Sequence, residues 1–237
     1  MQTTSYKSNK EGITRVSRLL RNMGQKETDI LCLPEKWLPN NRISAFELNE
    51  FKRIAKEFSM TIIPGAFYEK KSKRWSIFAP VIGPSGDVVG KQEKIHLFGY
   101  ERKRVKPGYK TIVFKTSCKF GVIICYDMVF PEVARSLTQK GAEALFSPSR
   151  IVKRGIRPWH QYTMVRALEN RIPILAANVE NRKFGGKSVI IDLHEENGIV
   201  IPKKMELLRQ SSKSLKFNLR KYKKVRAERF ADLRNFF

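Results

Sequence analysis

The sequence predicts an α/β fold in which stacked sheets are covered by helices. Three observations lead there. Apolar strand-like runs alternate with amphipathic helical segments, hairpin turn signals are mixed in among them, and no linker, internal repeat or low-complexity segment divides the 237 residues. Interleaving alone would suit one doubly wound parallel sheet, and the hairpins argue against it. A chain of this length can bury a sizeable core, so a single domain over 1–237 is the economical expectation.

The elements follow in order. Residues 11–23 predict a helix: Ile13, Val16, Leu19, Leu20 and Met23 recur at helical spacing, Ser8 or Asn9 can cap it, and Gly24 stands where a helix ends. Residues 29–33 are an apolar run that stops at Pro34, a buried strand. A second helix over 42–58 carries Phe46, Phe51, Ile54, Ala55 and Phe58 on one stripe. A strand over 61–66 precedes a hairpin over 75–89 that turns at Pro84-Ser85-Gly86-Asp87. Residues 94–110 read as a basic, glycine-containing loop. Strands follow at 111–115 and 120–125, then a helix at 131–140 with Pro131 in its first turn. Residues 144–147 predict a strand, followed by a basic loop through Arg157, a helix at 159–171 and a strand at 172–178. Strands 188–193 and 198–202 flank Glu195-Glu196-Asn197 as a hairpin turn. A last strand at 214–219 leads to a basic helix and an aromatic tail, Phe236-Phe237.

Composition narrows the function. Hydrophobic residues at 41% against 29% charged residues fit a folded globular chain rather than a disordered one. Lys and Arg number 47 against 22 Asp and Glu, a formal charge of +25. The basic residues run along most of the chain, with a denser stretch between Lys203 and Arg229, and no nucleic-acid-binding signature accompanies them. Specific nucleic-acid recognition is therefore not expected. No apolar run approaches the roughly 18 residues needed to span a bilayer, and the first twenty residues lack a signal-like apolar stretch. Cys32, Cys118 and Cys125 are an odd count without CxxC spacing, which argues against a disulfide framework and fits a reducing, cytoplasmic setting. His96, His160 and His194 lack metal-ligand spacing, and neither a phosphate-binding loop nor a dinucleotide fingerprint is present. No metal and no organic cofactor are expected.

Three segments share one form, an apolar strand followed by a chemically capable side chain. Ile30-Leu31-Cys32-Leu33-Pro34-Glu35 ends in a carboxylate, Gly90-Lys91-Gln92-Glu93-Lys94 in an ammonium, and Gly121-Val122-Ile123-Ile124-Cys125 in a thiol. Brought together at one sheet edge, the carboxylate can take the thiol proton, while the ammonium favours the thiolate and neutralises an oxyanion. Singly, each has a plainer explanation: an inert core thiol, a capping carboxylate, a solvated lysine.

The context of these residues favours the chemistry. Leu33-Pro34-Glu35, Lys94-Ile95-His96-Leu97-Phe98 and Gly121-Val122-Ile123-Ile124-Cys125-Tyr126-Asp127 occur in this order, with Phe130-Pro131-Glu132 after them. Further on come Gly141-Ala142-Glu143, Ser147-Pro148-Ser149, Trp159, Arg166-Ala167-Leu168-Glu169-Asn170, Ala177-Asn178 and Phe184-Gly185-Gly186-Lys187-Ser188. Together they resemble the nitrilase (carbon-nitrogen hydrolase) superfamily, in its amidase-like branch, over about residues 29 to 234. The resemblance implies an αββα sandwich of two mixed β-sheets flanked by helices. It implies Cys125 as nucleophile, Glu35 as general base and acid, and Lys94 with the Tyr126 backbone N–H as oxyanion donors. Glu101, ahead of Pro107-Gly108, matches a further site glutamate that orients Lys94. Arg150 and Trp159 fall where the family contacts substrate. A basic lining by Arg150, Lys153, Arg154 and Arg157 would favour an amide bearing a carboxylate, although a solvated loop explains those residues as well. Asp127 is expected to fix the turn after the nucleophile.

The function implied is hydrolysis of small amides or N-carbamoyl compounds through a cysteine thioester. Nitrile hydrolysis by the same residues is one alternative, and a non-catalytic basic module binding nucleic acid or an acidic partner is another. The expected partners are a small-molecule amide and further copies of the chain, as a homodimer or higher homo-oligomer. One departure stands out. The family opens with an apolar strand, and Met1-Gln2-Thr3-Thr4 resembles only its end. The N-terminal strand is thus expected to be truncated, with an exposed edge beside a central strand at 29–33. The short loop between Lys94 and Glu101 suggests a compact pocket entrance.

Overall fold

Local chemistry sets the first helix. Ser8 accepts a hydrogen bond from the Glu11 N–H, which starts α1 (Asn9–Gly24) and turns Ile13, Val16, Leu20 and Met23 inward. The computed structural model describes residues 1–71, 74–209 and 211–234. After α1 come β1 (Ile30–Cys32) and α2 (Ala45–Glu57), the latter opened by a reciprocal Ser44–Glu47 capping box. Then follow β2 (Thr61–Ile63), β3 (Phe67–Lys71), β4 (Arg74–Ile82) and β5 (Val88–Glu93). Next are β6 (Val113–Lys115), β7 (Lys119–Val122), α3 (Pro131–Gln139) and β8 (Ala144–Pro148). The chain continues through α4 (Ile156–Asn170), β9 (Ile174–Ala177), β10 (Val189–Glu196), β11 (Ile199–Glu206) and α5 (Leu219–Ala231).

Among the described residues the strands form two mixed sheets. One runs β1-β2-β4-β3 with β5 also on β4, and the other runs β11-β10-β9-β8-β7-β6. Ile63, Ile77, Ala79 and Val81 of the first pack with Phe114, Phe120, Val122 and Phe146 of the second, which makes the layer between the sheets. Val16, Leu20, Phe51 and Ile54 of α1 and α2 cover the first sheet with Leu31, Ile62 and Ile82. Val133, Leu137 and Trp159 of α3 and α4 cover the second with Leu145, Ile174 and Ile191. The result is the expected αββα sandwich of mixed sheets. No described helix is long and apolar enough to cross a membrane.

Several expectations are corrected. β3 was not anticipated: its polar Glu69, Lys70 and Lys71 read as loop, but Phe67 and Tyr68 register against Phe78 and Ile77 of β4. The predicted strand 120–125 stops at Val122, and Cys125 opens a 3₁₀ turn. The loop 94–110 contains a 3₁₀ helix, Gly99–Lys103. The predicted strand 214–219 is irregular up to Asn218, which caps α5. The aromatic tail lies outside the described residues. The last hairpin turns at Asn197 (φ 48°) and Gly198 (φ 79°), where positive φ at both central residues suits a tight β-hairpin.

The start of the chain also differs from expectation. β1 is terminal in its sheet rather than central, with β2 as its strand partner. Gln2 and Thr3 are fully buried and bridge Ser211 and Val179, and the Met1 ammonium donates to the Cys32 carbonyl at 3.0 Å. A cavity of 710 Å³ lies beside Met1, Leu31 and Cys32.

Candidate active site

Strand ends of both sheets deliver the site. Glu35 stands three residues beyond β1. Its N–H donates to the Ser149 carbonyl just after β8 at 3.1 Å, which ties one sheet to the other at this point. The next N–H, of Lys36, donates to Ala66 at 2.7 Å. Gly65 backs this turn at φ +114°, and a Cβ there would lie 2.3 Å from the Pro34 carbonyl oxygen. Gly65→Ala is therefore expected to lower stability by about 1–3 kcal/mol and to displace Glu35. Thermal melting and a kcat measurement on the same sample check both effects.

Lys94 follows β5, its N–H donating to Ile77 at 2.8 Å and its carbonyl accepting from Gly108 at 2.8 Å. Glu101 sits in the 3₁₀ helix Gly99–Lys103, where Oε2 also accepts the Phe98 N–H at 2.9 Å. Cys125 opens the turn after β7 with φ +50°, an unusual backbone for a residue with a side chain. Asp127 couples this turn to the Lys94 segment. Its carboxylate accepts the backbone N–H groups of Ile95 at 3.3 Å and His96 at 2.6 Å, and lies 3.0 Å from His96 Nδ1. Arg166 braces the far side of the turn by donating to the Met128 and Val129 carbonyls.

The side chains converge in a nearly dry space. Lys94 Nζ lies 2.9 Å from Glu35 Oε1 and 2.9 Å from Glu101 Oε2, with all three side chains 1–2% exposed. Cys125 interacts with both Glu35 and Lys94 and receives a backbone hydrogen bond from Arg150. Lys36, which the sequence reading did not include, belongs to the same cluster. Its Nζ is 2.5 Å from Glu101 Oε1 and 3.4 Å from Glu35 Oε1.

Two ammonium groups thus face two carboxylates. Burial alone would raise the Glu35 carboxyl, but Lys36, Lys94 and Arg150 outweigh it and bring it down to about 2. The Lys94 ammonium is desolvated, yet Glu35, Cys125 and Glu101 hold it protonated. Cys125 behaves differently from the expectation that an ammonium would favour the thiolate. Burial and the Glu35 charge push its thiol up to about 12, against the pull of Lys94. The resting site holds a neutral thiol beside an ionised carboxylate.

This charge arrangement links to stability. The Glu35 value is depressed on folding, so its contribution is fully present above the ordinary carboxyl value of 4.5 and fades as pH falls toward about 2. The gap between acid melts of wild type and Glu35→Gln should therefore begin to narrow below about pH 4.5 and close only as pH falls toward about 2. A gap between their midpoints that stays constant from neutral to acid pH would contradict this.

The remaining predicted residues divide. The Tyr126 ring packs edge-on against Phe98 and Phe130, and its backbone follows Cys125 in the turn. The Arg150 guanidinium is turned to the Lys36 carbonyl at 3.1 Å and Asn41 Oδ1 at 2.7 Å. Trp159 is not brought to the cluster of charged side chains. It is 4% exposed in the core under α4, and its Nε1 has no hydrogen-bond partner among the described residues. Lys153, Arg157, His160 and Lys187 line a separate surface pocket. No group of three or more His, Cys, Asp or Glu among the described residues could hold a metal ion.

The fold brings a buried Glu, Lys and Cys together at one point between the sheets. The sequence profile of the carbon-nitrogen hydrolase family matches residues 1–203, and the chain belongs to that family, whose members cleave carbon–nitrogen bonds other than peptide bonds. Among characterised relatives, the omega-amidase NIT2 of Xenopus tropicalis is 30% identical over 189 residues, which cover 71% of this chain and 68% of that protein. A carbon-nitrogen hydrolase from Helicobacter pylori G27 superposes with a TM-score of 0.78 at 22% identity, covering 98% of this chain and 93% of the other. A variant of the amidase from Nesterenkonia sp. AN1 carries the acetamide moiety of fluoroacetamide on its active-site cysteine. It superposes with a TM-score of 0.72 at 19% identity, covering 87% and 88%. These two structural likenesses are likenesses of fold.

Proposed function

We propose that this chain hydrolyses small amides, including N-carbamoyl compounds, through a thioester on Cys125. The observation that carries the reading is the Lys94 ammonium held between Glu35 and Glu101, with the Cys125 thiol against the same Glu35 carboxylate. The omega-amidase relative and the amidase of like fold support an amide as substrate over a nitrile.

The chemistry follows from the resting charges. With the thiol neutral and Glu35 ionised, proton transfer is coupled to attack: Sγ bonds to the amide carbon as its proton passes to Glu35. The carbonyl π pair moves to oxygen, where Lys94 Nζ and the Tyr126 N–H hold the oxyanion. Glu101 keeps Lys94 aimed. Collapse of the tetrahedral species breaks the C–N bond while Glu35 returns the proton to the departing nitrogen, leaving a thioester. Glu35 then takes a proton from water, hydroxide adds to the thioester, and the acid leaves as the proton returns to sulfur.

Ammonia release across a panel of amides, carbamoyl amines and nitriles tests the substrate class. Activity confined to nitriles would overturn it. Lys94→Met is expected to lower kcat by about 10²–10³-fold, the usual effect of removing one oxyanion donor. Because the mechanism needs only side chains and water, dialysis against a chelator should leave turnover unchanged. A loss that a divalent ion restores would contradict the mechanism.

A further inference from the structure

Lys36 has no part in the mechanism above, yet it is among the most buried groups of the site. It follows Glu35 directly. In an extended strand these two side chains would point to opposite faces. Here Lys36 takes φ +46°, and both side chains reach the same pocket. Its Nζ lies 2.5 Å from Glu101 Oε1, 3.4 Å from Glu35 Oε1 and 3.5 Å from the Tyr68 hydroxyl, above the rings of Tyr68 and Tyr100. The side chain is 1% exposed.

Packing gives no reason for this choice. A buried ammonium carries a desolvation penalty that an apolar residue of the same length would not, and Glu101 already has Lys94 as a partner. With one lysine the site would hold two carboxylates against one ammonium, and one carboxylate would be drawn toward protonation. With two lysines the site sets two ammonium groups against two carboxylates, and Glu35 stays ionised beside a neutral thiol.

Resting on the reading of Glu35 as the acid–base group, we propose that Lys36 is a positioning residue. It holds Glu101 against Lys94 and supplies the second positive charge that keeps Glu35 a carboxylate, ready to take the Cys125 proton. The charged and titratable groups facing this cluster are Glu35 after β1, Tyr68 on β3, Lys94 after β5, Tyr100 and Glu101 in the 3₁₀ helix, Cys125 after β7 and Arg150 after β8. Removing Lys36 leaves Lys94 and Arg150 as the cations near Glu35.

The test compares pH profiles of kcat/KM for wild type, Lys36→Met, Lys36→Gln and Lys36→Arg, with thermal melting to confirm folding. Lys36→Met and Lys36→Gln should both raise the acid limb by about 1–3 pH units, the usual effect of one adjacent opposite charge. Lys36→Arg should keep the wild-type limb. Gln retains a donor for Glu101 without the charge, so it separates charge from packing if Met disturbs the fold. An acid limb unchanged in both neutral variants would overturn the proposal while leaving the Cys125 mechanism standing. A wild-type enzyme that releases no ammonia from any amide would overturn both.

Discussion

Cys125→Ala is expected to abolish amide hydrolysis, lowering kcat on the order of 10⁶-fold, as loss of a nucleophile does in a comparable covalent hydrolase. The variant keeps Glu35, Lys94, Glu101 and Lys36, and their ion pairs do not depend on sulfur. Only one small group leaves a 9% exposed position, so stability should change by about 1 kcal/mol or less. The controls are Cys32→Ala and Cys118→Ala. Cys32 donates to the Leu33 carbonyl, and both thiols are pushed up by burial, to about 12 and about 11, with charges other than Glu35 and Lys94 as the further causes. Both variants should retain wild-type kcat. Ammonia release with thermal melting on the same preparations checks all three, and wild-type turnover by Cys125→Ala would refute the mechanism.

The second large effect is expected at Glu35. Glu35→Gln removes the proton acceptor of the first step and the water-activating base of the last, so kcat should fall by about 10²–10⁴-fold. Stability should fall too. Lys36 and Lys94 would share the Glu101 carboxylate alone, and breaking a buried pair by removing one partner typically costs about 3–5 kcal/mol. The two readouts separate the roles: a variant folded at the assay temperature that still fails to turn over has lost chemistry rather than structure. Near-normal kcat in a folded Glu35→Gln would assign the base elsewhere.

The site was legible where an apolar strand ran directly into a reactive side chain, as at Leu33-Pro34-Glu35 and in the run from Gly121 to Cys125. Lys36 was not, because a lysine in a chain of charge +25 reads as solvated. Its inward turn depends on the Ala66 contact and a left-handed backbone that no local pattern announces. For Trp159 the resemblance suggested a substrate contact, and α4 packs its side chain in the core with Ile156 and Ala167. Leu215, Phe217 and Leu219 alternate as a strand would, yet the segment makes no ladder and its apolar side chains line a cavity instead. β3 hid because Phe67 and Tyr68 are its only aromatic residues, while Glu69, Lys70 and Lys71, which also pair with β4, are charged.

The covalent step is tested most directly by mass spectrometry of enzyme quenched in acid during turnover of an amide substrate. The account predicts a mass increase equal to the acyl group less the thiol hydrogen, confined to the peptide containing Cys125, carried by a larger fraction of the enzyme when deacylation limits, and absent from Cys125→Ala. Turnover at full rate with no adduct, or an adduct on Cys32 or Cys118 instead, would contradict it.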